Sequence, residues 1–306
     1  MTASPIPSPS PSEKSPIGRL VVVTNPLSGQ NKRDPSLVKQ MEKLVGEGGS
    51  VVAPVGLEQL EQVAVQWATT MEPHDVLCVN GGDGTMHKVL GALWRAKRKQ
   101  QAESGERIAM PRVALLRGGT MNTISRNIGV KGKSISLLQK VVEAQRSGVP
   151  PKVCNQPALL VDNAELGFLF GNGVLSRFLE AYYEGPGAGP WKGAKVLFRA
   201  ILSGIVRGRF ARQLFERTPF VVHLDGQKWQ ADHYTAICAA TVADLGLGFR
   251  LFHHKCRDKT AHQDKLQSLG FTCTAAGVIS VLHRIYAAKP TGHPGIIDQL
   301  GQRITI

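Results

Sequence analysis

The sequence has no long apolar run, and this limits how the protein can meet a membrane. Nowhere in its 306 residues do roughly 18 apolar residues follow one another, the length that a membrane-spanning helix requires. The N-terminal residues also lack the apolar stretch and cleavage site of a secretory signal peptide. These absences predict a cytoplasmic protein whose contact with a membrane is at most peripheral.

Cysteine and aromatic residues are also scarce. The cysteines are widely spaced and odd in number, which argues against a disulfide framework and fits a reducing compartment. Aromatic residues make up 6% of the chain, and no zinc-finger or RNA-recognition motif combines them with basic residues. We therefore expect no nucleic-acid partner. The cysteines are Cys78, Cys154, Cys238, Cys256 and Cys273.

Acidic residues are the minority among the charged ones. The chain has 37 Lys and Arg against 23 Asp and Glu, which gives a formal net charge of +14. Such a surplus favours an anionic partner, and ATP, nucleic acid and acidic lipid all qualify. Because the motifs of nucleic-acid binding are missing, an anionic membrane surface is the better supported macromolecular partner.

Composition and periodicity divide the chain into three parts. Residues 1–18 are dominated by Ser and Pro and cannot bury enough apolar surface to fold, so we predict a disordered tail. Buried-strand patterns then alternate with helical ones over residues 19–150, which predicts an α/β domain with a parallel sheet. Shorter apolar runs separated by turn residues follow in 151–306 and predict a β-rich, antiparallel, sandwich-like second domain.

Three glycine-bearing loops each follow a predicted strand of the first domain. The carboxyl ends of parallel strands share one edge of a sheet, so we expect the three loops to converge there. Glycine backbones and a following helix N-terminus suit phosphate. Any one loop is equally compatible with an ordinary tight turn, and it is the convergence that predicts a phosphate site. The loops are Asn25–Gly29, Gly81–Thr85 and Arg117–Asn122.

Asp83 is the acidic residue inside the second loop. A carboxylate repels a bare phosphate, so we expect Asp83 to reach a magnesium ion or a hydroxyl group in the same pocket. This combination predicts a nucleotide with its metal. We predict Asp83 as the catalytic side chain.

Two further segments carry possible chemistry. Residues 191–212 are basic and amphipathic at helical spacing, which fits a core-packed helix with a solvated face, a membrane-contacting helix or a homodimer surface.

The sequence His253-His254-Lys255-Cys256 with His262 resembles a metal-binding cluster, but no second closely spaced ligand pair completes it. We interpret that cluster as surface polar residues, and we assign no metal ligands.

The three loop motifs, in this order, resemble the diacylglycerol kinase catalytic-domain family, which includes bacterial lipid kinases and sphingosine kinases. The resemblance implies an ATP- and Mg²⁺-dependent lipid kinase of phospholipid metabolism, a phosphotransferase that acts on an alcohol group of diacylglycerol or a long-chain base. It also implies an ATP-binding domain, a lipid-substrate domain and a role for Asn122 in fixing the third loop. The nucleotide-binding residues that it implies are Asn25, Pro26, Leu27, Ser28, Gly29, Gly81, Gly82, Asp83, Gly84, Thr85, Met86, His87, Thr120 and Asn122.

The sequence departs from the family pattern in ways that keep alternatives open. Thr123 stands where the family usually has Asp. The family's Asp-Gly-Glu strand, which follows the one resembling residues 303–306, is not part of this sequence, so we expect the second domain to be incomplete. Asp225-Gly226-Gln227 is expected to be a hairpin turn and not a substitute. A non-catalytic lipid- or nucleotide-binding relative and an NAD kinase, which shares the Gly-Gly-Asp-Gly-Thr loop, remain the alternatives.

Overall fold

The structure is a computed structural model that describes residues 2–5, 17–105, 108–149, 151–184, 190–206, 208–257 and 264–306. The chain forms two compact units. The N-terminal unit contains Pro9–Asn155 and Ala164–Leu166, and the C-terminal unit contains Met1–Ser8, Gln156–Asn163 and Gly167–Ile306.

The described residues alternate between strands and helices in the first half and are richer in short strands in the second. The strands are β1 (Thr2–Pro5), β2 (Leu20–Thr24), β3 (Gly49–Val52), β4 (Val76–Asn80), β5 (Arg112–Leu115), β6 (Leu159–Val161), β7 (Glu165–Gly167), β8 (Leu169–Gly173), β9 (Thr218–Pro219), β10 (His223–Leu224), β11 (Gln227–Lys228), β12 (His233–Tyr234), β13 (Ala236–Ala240), β14 (Leu266–Phe271), β15 (Ile296–Gly301) and β16 (Ile304–Thr305). The helices are α1 (Leu37–Val45), α2 (Gly56–Thr70), α3 (Asp83–Ser104), α4 (Thr123–Asn127), α5 (Ser134–Ser147), α6 (Val174–Tyr183), α7 (Pro190–Ile205), α8 (Arg209–Leu214), α9 (His253–Arg257) and α10 (Ala275–Tyr286).

The N-terminal unit is built on a four-stranded sheet in the order β3-β2-β4-β5, and every neighbouring pair is parallel. Strands β2 and β4 are buried along their whole length. Both faces of a parallel sheet are normally covered by helices, which is why these strands are apolar at consecutive positions. Leu20, Val22 and Cys78 pack in one core with residues of α1 and α5. Alternate residues point to the opposite face, and α3 packs against β4 and α2.

The order of these strands fixes where a ligand can approach. Strand β2 has β3 on one side and β4 on the other, so the chain leaves the sheet in opposite directions after β2 and after β4. A crevice opens at such a switch point, outside the carboxyl ends of the strands. The loops Asn25–Gly29 and Gly81–Thr85 follow these two strands.

The C-terminal unit is predominantly antiparallel. One sheet has the order β15-β14-β13-β8, and another places β10, β16, β1 and β6 side by side with β11 outside β10. Leu159, Trp229 and Ile237 lie in a buried core of this unit. The predicted fold class, a parallel-sheet α/β unit followed by antiparallel sheets, is confirmed. Among the residues that the structure describes, no helix has the length and apolarity to cross a bilayer.

Two predictions about secondary structure need correction. Thr2–Pro5, which fall in the predicted disordered tail, form β1 between β16 and β6. The prediction weighed only side-chain burial, whereas a strand also gains hydrogen bonds from both neighbours; residues 6–16 of that tail lie outside the described residues. The amphipathic segment 191–212 contains two helices and not one, because Gly208, which precedes α8, has an extended backbone.

Candidate functional site

The first and second glycine loops are joined through Asn25. Its backbone N–H donates to the carbonyl of Asn80 (2.9 Å), and its side-chain Nδ2 donates to Thr85 Oγ1 (3.0 Å). The Oδ1 atom of Asn25 accepts a hydrogen bond from Leu27 N (2.9 Å), which closes the turn. One amide side chain therefore fixes the shape of the first loop and its contact with the second.

The third loop joins the other two by equally short bonds. Ser28 Oγ donates to the carbonyl of Gly118 (2.9 Å), and Gly119 N donates to the carbonyl of Gly81 (3.0 Å). The predicted convergence of the three loops is confirmed. We call the assembly of Asn25–Gly29, Gly81–Thr85 and Arg117–Asn122 the loop junction.

Glycine is required where two of these loops touch. A Cβ atom on Gly119 would lie within 3.0 Å of the backbone of Gly82, closer than real Cβ contacts come. A Cβ on Gly29 would collide with the side-chain hydroxyl of Thr120, so Thr120 lies directly against the first loop. These glycines explain how the backbones come together, but they do not by themselves indicate a ligand.

Asn122 holds the third loop in shape. It adopts a left-handed backbone (φ 49°) and precedes α4. Its Oδ1 accepts from Gly119 N (3.1 Å), and its Nδ2 donates to the carbonyls of Gly119 (2.6 Å) and Arg117 (3.2 Å). The predicted role of Asn122 in fixing this loop is confirmed.

The N-terminus of α3 opens into the loop junction. Gly82 precedes this long helix without a side-chain hydrogen bond to its first turn. The first N–H groups of a helix have no partner within it, and the helix dipole adds partial positive charge there. The sequence therefore provides anion-binding donors at the place where the three loops meet.

Gly84 is the glycine of this region that the fold does not explain. It lies in the first turn of α3, its φ is not positive, and a Cβ built on it would meet nothing within 4 Å. Glycine inside a helix costs about 0.5–1 kcal/mol relative to alanine. An approach of a ligand to the backbone here would explain why no side chain occupies that space.

Asp83 contacts backbone amides. Its Oδ2 accepts from Thr123 N (2.9 Å) and its Oδ1 from Ile124 N (3.0 Å), the first residues of α4. Both carboxylate oxygens thus cap α4 and hold the third loop next to α3. An ionised carboxylate has about four acceptor positions, so Asp83 can still offer a lone pair to a cation. Its predicted catalytic role stays a prediction.

Met86 and His87, which the resemblance adds to the site, direct their side chains elsewhere. Met86 is buried in the core. His87 Nδ1 lies 2.6 Å from the carbonyl of Leu166, and its Nε2 lies 3.3 Å from Glu165, which also pairs with Arg95. The structure does not bring these two side chains to the loop junction, and their nucleotide-binding role stays a prediction.

Further polar residues, which the sequence motifs do not mark, complete the junction. Asn31 Nδ2 donates to the carbonyls of Asn25 (2.8 Å) and Asn80 (3.3 Å). Asn80 is fully buried; its Nδ2 donates to Thr24 Oγ1 (2.9 Å), and no partner for its Oδ1 is found in the described structure. The buried Nε of Arg117 in the third loop also has no hydrogen-bond partner within the described structure. Asn80 is a polar residue at the end of the apolar run of β4, and this position is the signal in the sequence that points to it.

The groups at the loop junction are of the chemical types that bind a nucleotide and its magnesium ion. The α3 amide donors and the open space at Gly84 suit phosphate oxygens. Asp83 is a hard oxygen donor beside them, and Mg²⁺ is commonly held by one or two carboxylates together with substrate phosphates.

Comparison with known proteins agrees with this geometry. Residues 19–150 match the family model described as diacylglycerol kinase catalytic domain. No curated protein matches the chain in sequence. Three solved structures from Bacillus anthracis strain Sterne, which carry the name diacylglycerol kinase, align with TM-scores of 0.63, 0.59 and 0.57 at 15%, 16% and 15% identity. Each alignment covers 94% of this chain and 84–85% of the other.

At this level of identity the solved structures establish a common fold. The family match is independent of them and covers all three glycine loops. The predicted resemblance to the diacylglycerol kinase catalytic-domain family is therefore confirmed, with residues 19–150 as the segment that matches.

Proposed function

We propose that the protein is an ATP-dependent lipid kinase that transfers the γ-phosphoryl group to a hydroxyl group of a membrane lipid, diacylglycerol or a long-chain base. The observation that carries the proposal is the uncapped N-terminus of α3, which opens into the loop junction at Gly84. The match to the diacylglycerol kinase catalytic domain supports the same chemistry.

The chain's own residues supply positioning in this proposal. Backbone N–H groups at the start of α3 would donate to phosphate oxygens. Asp83 keeps α4 and the third loop beside them and would be the carboxylate that holds the metal. Mg²⁺, when bound, neutralises phosphate charge. Phosphoryl transfer depends mainly on such positioning and charge stabilisation, so a site built largely from backbone amides is chemically sufficient to bind and orient ATP.

The surface of α7 supports action at a membrane. Its buried positions are small residues, Gly193, Ala200 and Gly204, and a Cβ on Gly204 would lie 2.9 Å from Ile279 of α10. Val196, Leu197 and Ile201 are partly buried, whereas the other large apolar residues of the helix are exposed. One face of the helix is packed, as expected for a core-packed helix with a solvated face, and contact of the other face with a membrane stays a proposal. We define the α7 surface as the exposed residues Trp191, Lys195, Phe198, Leu202 and Ile205 of this helix, together with Val206, which directly follows it.

Exposure and charge favour an anionic bilayer as the partner of the α7 surface. Trp191 is 84% exposed, Phe198 63% and Val206 75%. Exposed Lys195 and Arg199 lie on the same helix. An amphipathic helix with Trp, Phe and Leu beside basic residues is the usual composition of a segment that lies in the bilayer interface. A homodimer through this surface is the competing explanation of the same exposure.

A transfer assay tests the activity. The purified chain is incubated with ATP labelled at the γ-phosphate, Mg²⁺ and, in separate reactions, vesicles with diacylglycerol, vesicles with sphingosine, or NAD. We expect label in a lipid product only. Label in NAD would instead identify an NAD kinase, and absence of label in all three would contradict the proposed transfer.

Gly84→Ala tests whether the N-terminus of α3 binds the nucleotide. The new methyl group enters open space, so the melting temperature should stay the same or rise slightly. ATP affinity, measured by calorimetry, should fall on the order of 10- to 100-fold if charge-assisted backbone hydrogen bonds are lost. Gln101→Ala, at an exposed position near the other end of α3, serves as the matched control and should bind ATP normally.

A nucleotide-binding protein without transfer activity is the second candidate. The observation that favours it is the geometry of Asp83, whose two oxygens already serve Thr123 and Ile124 amides, with Thr123 where the family usually has Asp. Asp225 offers no replacement, because Asp225 and Gly226 form the predicted hairpin turn, which the pairing of β10 with β11 confirms. ATP binding that Gly84→Ala weakens, together with no labelled product, would select this candidate.

A further inference from the structure

We propose that His253, His254 and Asp298 of the C-terminal unit form a binding site for a divalent cation of the zinc class. The inference does not depend on kinase activity. His253 and His254 begin α9, and Asp298 lies on β15. One donor atom from each lies within 4.8 Å of the other two, so the fold brings together ligands that are distant in sequence.

Burial separates this cluster from ordinary surface histidines. His253 is 4% exposed and Lys255 is 9% exposed, so the interpretation of these residues as surface polar residues is wrong. His254 and Asp298 are partly accessible, which leaves a route for an ion. His262 and the side chain of Cys256 lie outside the described part of the structure.

Gln267 holds the cluster in place. This fully buried residue of β14 donates from Nε2 to Asp298 Oδ1 (2.7 Å), and its Oε1 accepts from the backbone N–H of His254 (3.1 Å). These two bonds fix which way the amide points. Gln267 thereby orients the carboxylate and anchors the start of α9, the kind of support that metal ligands usually receive from neighbouring residues.

The ring of His253 already lies beside the carboxylate of Asp298. Its Nδ1 is 3.3 Å from Asp298 Oδ2 and 3.3 Å from Gln267 Nε2. A protonated Nδ1 donates to the carboxylate. A cation bound between Nδ1 and Oδ2 would take the place of that proton.

The ligand set indicates the class of metal. Two imidazoles and one carboxylate suit Zn²⁺ and related transition metals, whereas Mg²⁺ and Ca²⁺ prefer oxygen ligands alone. A tetrahedral site with zinc–ligand distances of about 2.0–2.1 Å has donor atoms about 3.3–3.4 Å apart. His253 Nδ1 and Asp298 Oδ2 already have this spacing (3.3 Å). His254, whose ring is partly accessible, completes the set when one of its nitrogens reaches a similar distance.

Metal titration of the whole untagged chain tests the proposal. After treatment with EDTA and buffer exchange, Zn²⁺ is titrated against a chromophoric chelator, and bound metal is counted by mass spectrometry after gel filtration. We expect one Zn²⁺ per chain in the absence of ATP, and a rise in melting temperature on its addition. Co²⁺ should compete for the same site and give visible absorption bands.

Three variants separate this ligand set from others. Asp298→Asn keeps an oxygen that can accept from Gln267 but loses the charge, and it and His253→Ala should each weaken Zn²⁺ binding at least about 100-fold. His283→Gln, an exposed histidine of α10, is the matched control and should bind normally. If His253→Ala fails to fold, Asp298→Asn alone decides.

Zero stoichiometry would overturn the proposal, as would unchanged affinity in Asp298→Asn. A sulfur-to-cobalt absorption band that disappears in Cys256→Ser and persists in Asp298→Asn would assign the metal to a different ligand set and also contradict it.

Discussion

The loop junction and the α7 surface differ in how they arrange polar and apolar atoms. In the junction, the side chains of Asn25, Ser28 and Asn122 turn inward and bond to backbone groups of neighbouring loops. On α7, large apolar residues such as Trp191 and Phe198 turn outward, while small residues pack inside. Junction residues therefore maintain the fold as well as the proposed site, so their substitution changes stability and activity together. Substitution on the α7 surface should change function alone.

Asp83→Ala is expected to have the largest effect and to show that stability and activity change together in the loop junction. It removes the acceptor of the Thr123 and Ile124 amides, at a cost of about 1–3 kcal/mol for each buried N–H left without a partner. Lipid phosphorylation should fall at least about 100-fold, as when a group that stabilises transition-state charge is removed. Product formation and thermal unfolding are measured on the same preparation.

Asp83→Asn is the control for that result, since its side-chain oxygen can still accept one of the two bonds. It should unfold at a higher temperature than Asp83→Ala and stay impaired in transfer. Turnover like that of the natural protein in Asp83→Ala would remove Asp83 from the mechanism.

The double substitution Lys195→Glu and Phe198→Ser tests the other side of the comparison. It removes one apolar anchor and reverses one charge, so binding to vesicles with anionic lipid should weaken about 10-fold or more, measured by co-sedimentation. Arg199 is left in place because its guanidinium stacks on Phe210 at 4.2 Å and supports α8. The melting temperature should not change.

Vesicles of zwitterionic lipid and gel filtration of both proteins serve as controls for this experiment. Unchanged co-sedimentation of the double variant would contradict a membrane role. A shift from dimer to monomer, without a change in lipid binding, would assign the α7 surface to self-association.

The smallest expected effect is a difference in thiol labelling between a buried cysteine, Cys78, and an exposed one, Cys154. Burial raises the pKa of Cys78 to about 12, so its thiol stays protonated in the folded protein at pH 8, whereas Cys154 is exposed. Iodoacetamide at pH 8 should label Cys154 and leave Cys78 unmodified, as read by peptide mass spectrometry. Rapid native labelling of Cys78 would show that β4, which leads into the junction, opens easily.

The same thiol affects stability at high pH. Its folded pKa lies above the value of 9.0 for an unburied thiol, so the folded state holds its proton more tightly than the unfolded state. The stabilisation is complete below about pH 9 and is lost as the pH rises toward about 12.

The sequence allowed prediction of the parallel sheet and the loop junction because their determinants are local. Apolar runs mark β2 and β4, and glycines mark the turns that follow them. The bonds of Asp83 could not be predicted, since its partners are backbone amides without a residue signature. The orientation of α7 was also hidden, because an amphipathic pattern does not reveal which face packs inside. The proposed cation site includes Asp298, which lies far from His253 in the sequence and comes near it through the pairing of β14 with β15.

The most direct test of the account is the response of backbone amides to ATP. In ¹⁵N-resolved spectra of the whole chain, titration with ATP and Mg²⁺ should shift the amide resonances of Gly84, Thr85 and Gly119 in a saturable manner. Resonances of exposed residues on α7, such as Ala194, serve as the reference and should stay in place. A nucleotide site at the loop junction requires these shifts to saturate with increasing ATP. Unchanged junction resonances at millimolar ATP would contradict the claim that the three loops form a nucleotide site.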